Sequence, residues 1–372
     1  MPEPIVATAG EVTALPYGAA IVLDPLREFL DAEGLGTGEV TAAELGDGHS
    51  NLTFLLRRGA QSFVLKRPPR GELSASANDV LREARILQAL GATAVPTPRV
   101  LACCHDPAVI GAPFFVMSHV DGAAINDALP AALAAPAAPA RIAAAAVETL
   151  ATLHAVDLEA SGLGELGRAS GYLERQLRRF GALLEANATR PLPDLEAVAD
   201  WLAANLPRSR RTTFVHGDFR LGNLLFAAPL HLSAVIDWEM ATVGDPLADL
   251  GYLTATWAEP DDEENPMFAL SRLTRRPDFP DRADLARTYA ETAGEPVDDL
   301  RWYQILALWK SAIFLEGSYK RFREGASTDA YLTSLDTGVP ALARAAQMLS
   351  GQATGQVAAT NREAAIPARR PE

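Results

Sequence analysis

The stretch "FVHGDFRLGNLLF", residues 214–226, decides how this chain is read. Apolar runs flank His216, Asp218, Arg220 and Asn223. A short apolar stretch reads as a buried strand, and a buried strand does not carry unpaired Asp and Asn without cost. Gly217 and Gly222 resolve the conflict: they predict a strand, a tight loop that displays Asp218, and a second strand. Taken singly, Asp218 and Asn223 are accounted for by hydrogen bonds to turn backbone. Taken with Asp237, which ends the apolar run "LSAVI", they point to chemistry. A hairpin between 224–226 and 232–236 would return Asp237 to the neighbourhood of Asn223. A carboxylate beside an amide carbonyl makes a pair of hard oxygen ligands, suited to Mg²⁺ held together with phosphate oxygens. Asp218 would then remain as a base, or as a carboxylate that orients a nucleophile.

Upstream, "IVLDPLREFLDAE" (21–33) predicts a short amphipathic helix. Three short strands follow, through "SFVLK", with turns at 46–50 and 58–61. A helix is expected from about Ser74 to Leu90, with Val80, Ala84 and Leu87 on one stripe, then strands at 99–104 and 113–119. The fold class is α+β: a small five-stranded antiparallel sheet with one inserted helix, followed by a larger, mostly helical part. In "SFVLK", Val64 and Lys66 share one face of the strand. There Lys66 could hold phosphate oxygens beneath an apolar base, although a solvated edge-strand lysine is the plainer reading. Glu83 borders the stripe of the next helix and could fix the lysine head group, with Glu72 as its rival. The turn "GDGHSN" offers backbone N–H groups for phosphate, with Gly48, Ser50 and Asn51 as candidate nucleotide contacts. No GxxxxGK[ST] run occurs, which excludes a P-loop.

Downstream, helices are expected from about Pro139, at 171–188, 194–206, 282–293, 299–318 and 338–350. Asp245 and Pro246 supply an N-cap and a first helical position. The domain division is 1–118, 119–350 and a disordered tail, 351–372, that has little to bury.

The formal net charge of −14 argues against nucleic acid as a partner. Cys103 and Cys104 are adjacent and fit no zinc spacing. The first twelve residues lack the basic region of a signal peptide, and Pro136, Pro139, Arg141 and Glu148 break the Ala-rich stretch, so no membrane span is expected. A soluble, cytoplasmic protein follows as the expectation.

These parts stand in a particular order: Gly-rich turn, strand lysine, helix glutamate, H-x-D-x-x-x-x-N, later Asp. The order resembles the two-lobed protein-kinase-like fold. "HGDFRLGNLLF" with "AVIDWEMATVGDPLADLGYL" closely resembles the aminoglycoside phosphotransferase and choline kinase-like family, over residues 40 to 320. Within it, the kinase-like domains associated with acyl-CoA dehydrogenases are the most similar group. The resemblance implies ATP and Mg²⁺ as cofactors, and transfer of the γ-phosphoryl group to a hydroxyl on a small molecule. It makes Asp218 the catalytic carboxylate, Asn223 and Asp237 the metal ligands, and Lys66 the phosphate contact with Glu83 as partner. Met117, Ser118 and Val120 match the connector that holds adenine. His216 and Asp249 match structural supports of the loop. Gly217 stands where protein kinases carry arginine, and Trp238-Glu239 where they carry Phe-Gly. No Ala-Pro-Glu segment follows, so protein substrates are disfavoured.

The acceptor stays open at this level. A hydroxyacyl-CoA or related lipid-derived compound, an aminoglycoside, and a choline-like alcohol all fit, as does a catalytically silent nucleotide-binding scaffold. The acidic run 259–264 suggests a polycation, or simply a solvated loop. Arg272, Arg275 and Arg276 suggest phosphates.

Overall fold

The computed structural model describes residues 3–12, 18–46, 51–70, 79–325 and 329–363, with side chains as far as 351. The chain divides into two compact units, residues 1–122 with 233–241, and residues 123–232 with 242–372.

In the first unit, strands β1 (Val40–Glu44), β2 (Leu52–Arg58), β3 (Gln61–Arg67), β4 (Val100–Cys104) and β5 (Phe114–Ser118) form one antiparallel sheet in the order β1-β2-β3-β5-β4. Alternation decides which face each residue takes. Phe54 and Leu56 of β2, Phe63 and Leu65 of β3, and Phe114 and Val116 of β5 pack with Leu26 and Leu30 of helix α1 (Leu23–Ala32). Leu26 and Leu30 lie one turn apart, so one stripe of α1 covers that face. The rings of Phe29 and Phe114 meet edge to face, 5.0 Å apart. The opposite face carries Val64 and Lys66, with Met117 and Phe115 directly across on β5.

Helix α2 (Val80–Leu90) begins where the Asp79 side chain accepts the Arg82 N–H, at 2.9 Å. That cap gives the start; the expected beginning at Ser74, like Glu72, falls outside the described residues. Val80, Ala84 and Leu87 are buried as their spacing predicted, and Glu83 is buried with them.

The second unit contains helices α3 (Ala138–His154), α4 (Tyr172–Asn187) and α5 (Pro193–Ala204), then strands β6 (Thr213–Val215) and β7 (Leu224–Ala227). After the segment of the first unit come β8 (Thr242–Gly244), helix α6 (Pro246–Thr256), and helices α7 (Arg282–Ala293), α8 (Leu300–Arg323) and α9 (Leu335–Glu363). Strand β8 pairs antiparallel with β6, and β7 with Ala123–Ala124. The expected unstructured tail from 351 falls largely on residues whose side chains are not described. Helix α8 is buried over much of its surface: Trp302, Tyr303, Ile305, Leu306, Trp309 and Ile313 belong to one core with residues of α4, α5 and α9. Such a helix is the centre of its unit.

Helix α6 starts at the expected residues. Asp245 accepts the Leu247 N–H at 3.0 Å, Pro246 takes the first position, and the Tyr303 hydroxyl donates to the other Asp245 oxygen at 2.8 Å. Gly251 lets α6 approach α8, since a Cβ there would stand 2.5 Å from the Tyr303 Cβ. Gly251→Ala therefore destabilises the protein. Overpacking costs about 1–3 kcal/mol, against at most ~1 kcal/mol gained in helix propensity, and thermal unfolding should show a lower Tm.

Candidate active site

In the second unit, β6 delivers the chain into the loop with Phe214 and Val215 buried, and β7 takes it out. Gly217 sits at φ +84°, a left-handed turn that glycine adopts without strain. The loop is held from below by Asp249, in the first turn of α6. Its carboxylate accepts the His216 N–H at 2.6 Å and the Gly217 N–H at 2.8 Å, and its Oδ2 lies 3.3 Å from His154 Nε2. The other His154 nitrogen meets the Tyr289 hydroxyl at 2.8 Å. Burial opposes ionisation of Asp249. The His154 hydrogen bond, the neighbouring His154 and His216, and the Gly217 N–H outweigh it and hold the carboxyl below the usual aspartate range.

His216 is fully buried, and its Nδ1 accepts the Asp218 N–H at 3.2 Å. Asn223 Nδ2 donates both to the Asp218 carbonyl and to its Oδ2, each at 2.8 Å. With its NH₂ group committed to Asp218, the Asn223 amide presents its oxygen as the donor atom for a ligand. Arg220 Nε stands 3.5 Å from Asp218 Oδ2. The Arg220 guanidinium and the Asn126 side chain close over Gly222, and a Cβ there would displace them. Tyr252, three residues beyond Asp249, neighbours Asp218; burial and the Asp218 charge push its phenol up.

In the first unit, Lys66 is buried at 6% exposure. Its Nζ lies 2.9 Å from Glu83 Oε1 and 2.9 Å from Asp237 Oδ1. Burial alone would push the Lys66 ammonium down, but Glu83, Asp237 and Glu239 together outweigh it and raise it above the usual lysine range. Glu83 also accepts the Trp238 N–H at 3.2 Å. Arg82, one residue before it on α2, reaches the Ala241 carbonyl at 2.6 Å. Helix α2 thus fixes the segment 237–241 by both residues. Asp237 is one of two non-glycine residues with positive φ among those described, at φ +67° and ψ +64°. That conformation costs an ordinary residue about 1–3 kcal/mol, and here the fixed segment around it imposes it. Glu83 and Asp237 bond the Lys66 ammonium directly, and Glu239, held by Asn51, adds its charge nearby.

Gly48 and Ser50 lie outside the described residues. Asn51 is buried, and its amide donates to Glu239 at 2.7 Å. Val64 and Met117 sit opposite each other in the sheet, on the face that carries Lys66. The Ser118 N–H donates to the Arg99 carbonyl at 2.8 Å. Val120 follows just beyond β5, partly buried.

Members of both stretches weighed as acceptor contacts are engaged within the second unit. Arg282 pairs with Glu259 and Asp262, Arg275 with Glu264, and Arg276 with Asp278.

The family model of the phosphotransferase enzyme family matches residues 41–297. The chain belongs to this family. Its curated relatives include acyl-CoA dehydrogenase family member 10 of Mus musculus, 34% identical over 84% of this chain and 29% of that protein. Family member 11 of Gallus gallus is 35% identical over 77% of this chain and 38% of that protein. The chain therefore spans only 29% to 38% of the length of these relatives. Among solved structures, one from Ralstonia eutropha assigned to the aminoglycoside phosphotransferases gives a TM-score of 0.74 at 28% identity, covering 88% of this chain and 98% of that one. A hygromycin-binding phosphotransferase, solved with AMP-PNP and hygromycin B, gives 0.58 at 18% identity, covering 88% and 98%. This last likeness shows the fold alone: the phosphotransferase, kinase-like α+β architecture expected from the sequence.

Replacing Asp249 by Asn turns one acceptor oxygen into a donor facing a backbone N–H. An N–H orphaned in this way costs about 1–3 kcal/mol, seen as a lower urea midpoint at neutral pH. The wild-type carboxyl is held low, so its contribution is present at neutral pH. It is lost as pH falls below about 4, where aspartate in the unfolded chain takes up protons. Urea titrations of the two proteins should converge in acid.

Proposed function

We propose that this chain is an ATP-dependent phosphotransferase that moves the γ-phosphoryl group of ATP to the hydroxyl of a small molecule. The observation that carries the reading is the grip of Asn223 on Asp218, which aims a partly exposed carboxylate from a rigid loop. Lys66, braced by Glu83, supports it as the contact to the ATP phosphates. Residues 1–118 serve nucleotide binding and 119–350 the acceptor, with adenine held by the backbone of Ser118 and Val120 over Val64 and Met117. Asn51 borders the phosphates, with Gly48 and Ser50 proposed beside it.

Asp218 receives or orients the proton of the acceptor hydroxyl at a carboxylate oxygen. Asn223 Nδ2 keeps that carboxylate in place, and Tyr252 flanks it. Asn223 and Asp237 offer oxygen donors of the hard type that Mg²⁺ takes, and the ion, when bound, neutralises phosphate charge. Positioning and charge neutralisation supply the acceleration; no covalent intermediate on the protein is required.

For the acceptor we propose a hydroxyacyl-CoA or a related lipid-derived hydroxy compound. Its support is the likeness to relatives named as acyl-CoA dehydrogenase family members. Arg282 and Arg275 pair with Glu259, Asp262 and Glu264 of the acidic run, which weakens the run as a support for a polycationic acceptor. Both cysteines are free thiols, which fits a cytoplasmic setting. Among the described residues no helix is long and apolar enough to cross a membrane.

The test is phosphoryl transfer from Mg-ATP to hydroxyacyl-CoAs, aminoglycosides and choline-like alcohols, comparing wild type with Asp218→Ala. Turnover should fall at least ~100-fold in the variant, with ATP affinity largely kept. Undiminished transfer by the variant would remove Asp218 from the reaction. ATP binding by the wild type with no transfer to any alcohol would make the chain a silent nucleotide-binding scaffold.

A further inference from the structure

The chain has three lysines, Lys66, Lys310 and Lys320. Lys310 interrupts the apolar run "ILALWKSAIF" (305–314) of α8. A lysine in such a run is either spread along the surface or placed for a purpose. Lys310 is only partly accessible, and its Nζ stands 4.8 Å from the centroid of the buried Phe180 ring of α4. The guanidinium of the adjacent Arg179 stands 6.0 Å from the same centroid. Among the described residues no carboxylate lies within ion-pair distance of Lys310.

The charges that reach Lys310 are those of Asp249 on α6, Arg179 on α4, and Asp218 on the loop. Burial, helped by Arg179, pushes its ammonium down to about 8, against the opposing pull of the two aspartates. Asp249 is already spent on His154 and two backbone N–H groups. Asp218 is shared with Asn223 and Arg220. Lys310 is thus a partly accessible cation over an aromatic ring, with the charge of Asp218 within reach and no carboxylate of its own among the described residues. Such a site gains most from an anion supplied from outside.

We propose that Lys310, with Arg179 beside it, determines acceptor specificity: its ammonium receives an oxyanion, carboxylate or phosphate, carried by the same molecule as the hydroxyl that meets Asp218. This rests on the phosphotransferase reading for the hydroxyl, while the anion site stands on its own contacts. The chemistry selects hydroxy compounds bearing negative charge and rejects cationic amines.

Two measurements on the full chain test it. With lysine acetylation read by mass spectrometry, Lys320 is an internal reference. Carboxylate-bearing γ-hydroxybutyrate, phosphate-bearing glycerol phosphate, or both should slow modification of Lys310 several-fold, and the one that protects identifies the oxyanion. Neutral butanediol and cationic aminobutanol should not protect. Failure of both oxyanions, or equal protection by aminobutanol, overturns the proposal. With Mg-ATP and the same alcohols, wild type should prefer the protecting anion. Lys310→Ala should raise its KM about 10-fold with little change in kcat, as for loss of a charge-assisted hydrogen bond, and Lys310→Arg should retain the preference. Protection without any transfer would retain the anion site and reject the phosphotransferase reading. Transfer without charge preference or protection would do the reverse.

Discussion

One buried carboxylate organises the loop that carries Asp218. Asp249 accepts two consecutive backbone N–H groups, those of His216 and Gly217, and is itself held by His154. Consecutive donors converging on one carboxylate leave the loop a single way to turn, so the direction of Asp218 follows from the position of α6. That position is set in turn by α8. Tyr303 holds the N-cap residue Asp245, and Gly251 lets the two helices close together. The direction of Asp218 is therefore inherited from helix packing, through one buried carboxylate.

The two buried or partly buried lysines show how one residue type takes different characters. Lys66 lies among Glu83, Asp237 and Glu239, which raise its ammonium above the ordinary range; Lys310 lies over a phenyl ring and is lowered by burial. A saturated cation is a stable fixture until a better anion displaces its partners. An unsaturated one is a standing demand for an anion. Burial is common to both, and the difference lies in the company each keeps.

Much of the architecture was legible in the sequence because it depends on local periodicity. Alternation in "SFVLK" assigned Lys66 to the face opposite Leu65, and the 3.6-residue stripe around Val80, Ala84 and Leu87 brought Glu83 inward with it. Asp245-Pro246 marked a helix start by local chemistry alone. What escaped depends on distant partners. Asn51 meets Glu239 across 188 positions, and no turn pattern announces it. Tyr252 drew no reading from the sequence, although it stands three residues, nearly one turn, beyond Asp249. The acidic run 259–264 looked like a solvated face because Arg282, which pairs with two of its members, lies some twenty residues downstream. Lys310 did leave a trace, a charge inside an apolar helical run, whose meaning depended on knowing what packs against it.

The segment 233–241 belongs to the first unit, although the chain before and after it belongs to the second. It carries Asp237, which binds Lys66, and Trp238, whose N–H reaches Glu83. The small unit is therefore discontinuous in the gene while continuous in space. A fragment ending at residue 122 would leave Lys66 with Glu83 alone and would strip Arg82 of its carbonyl acceptor at Ala241. Recombination between relatives meets the same constraint. An exchanged N-terminal block keeps its lysine site only when the nine-residue insert travels with it, which ties the two stretches together as one heritable module.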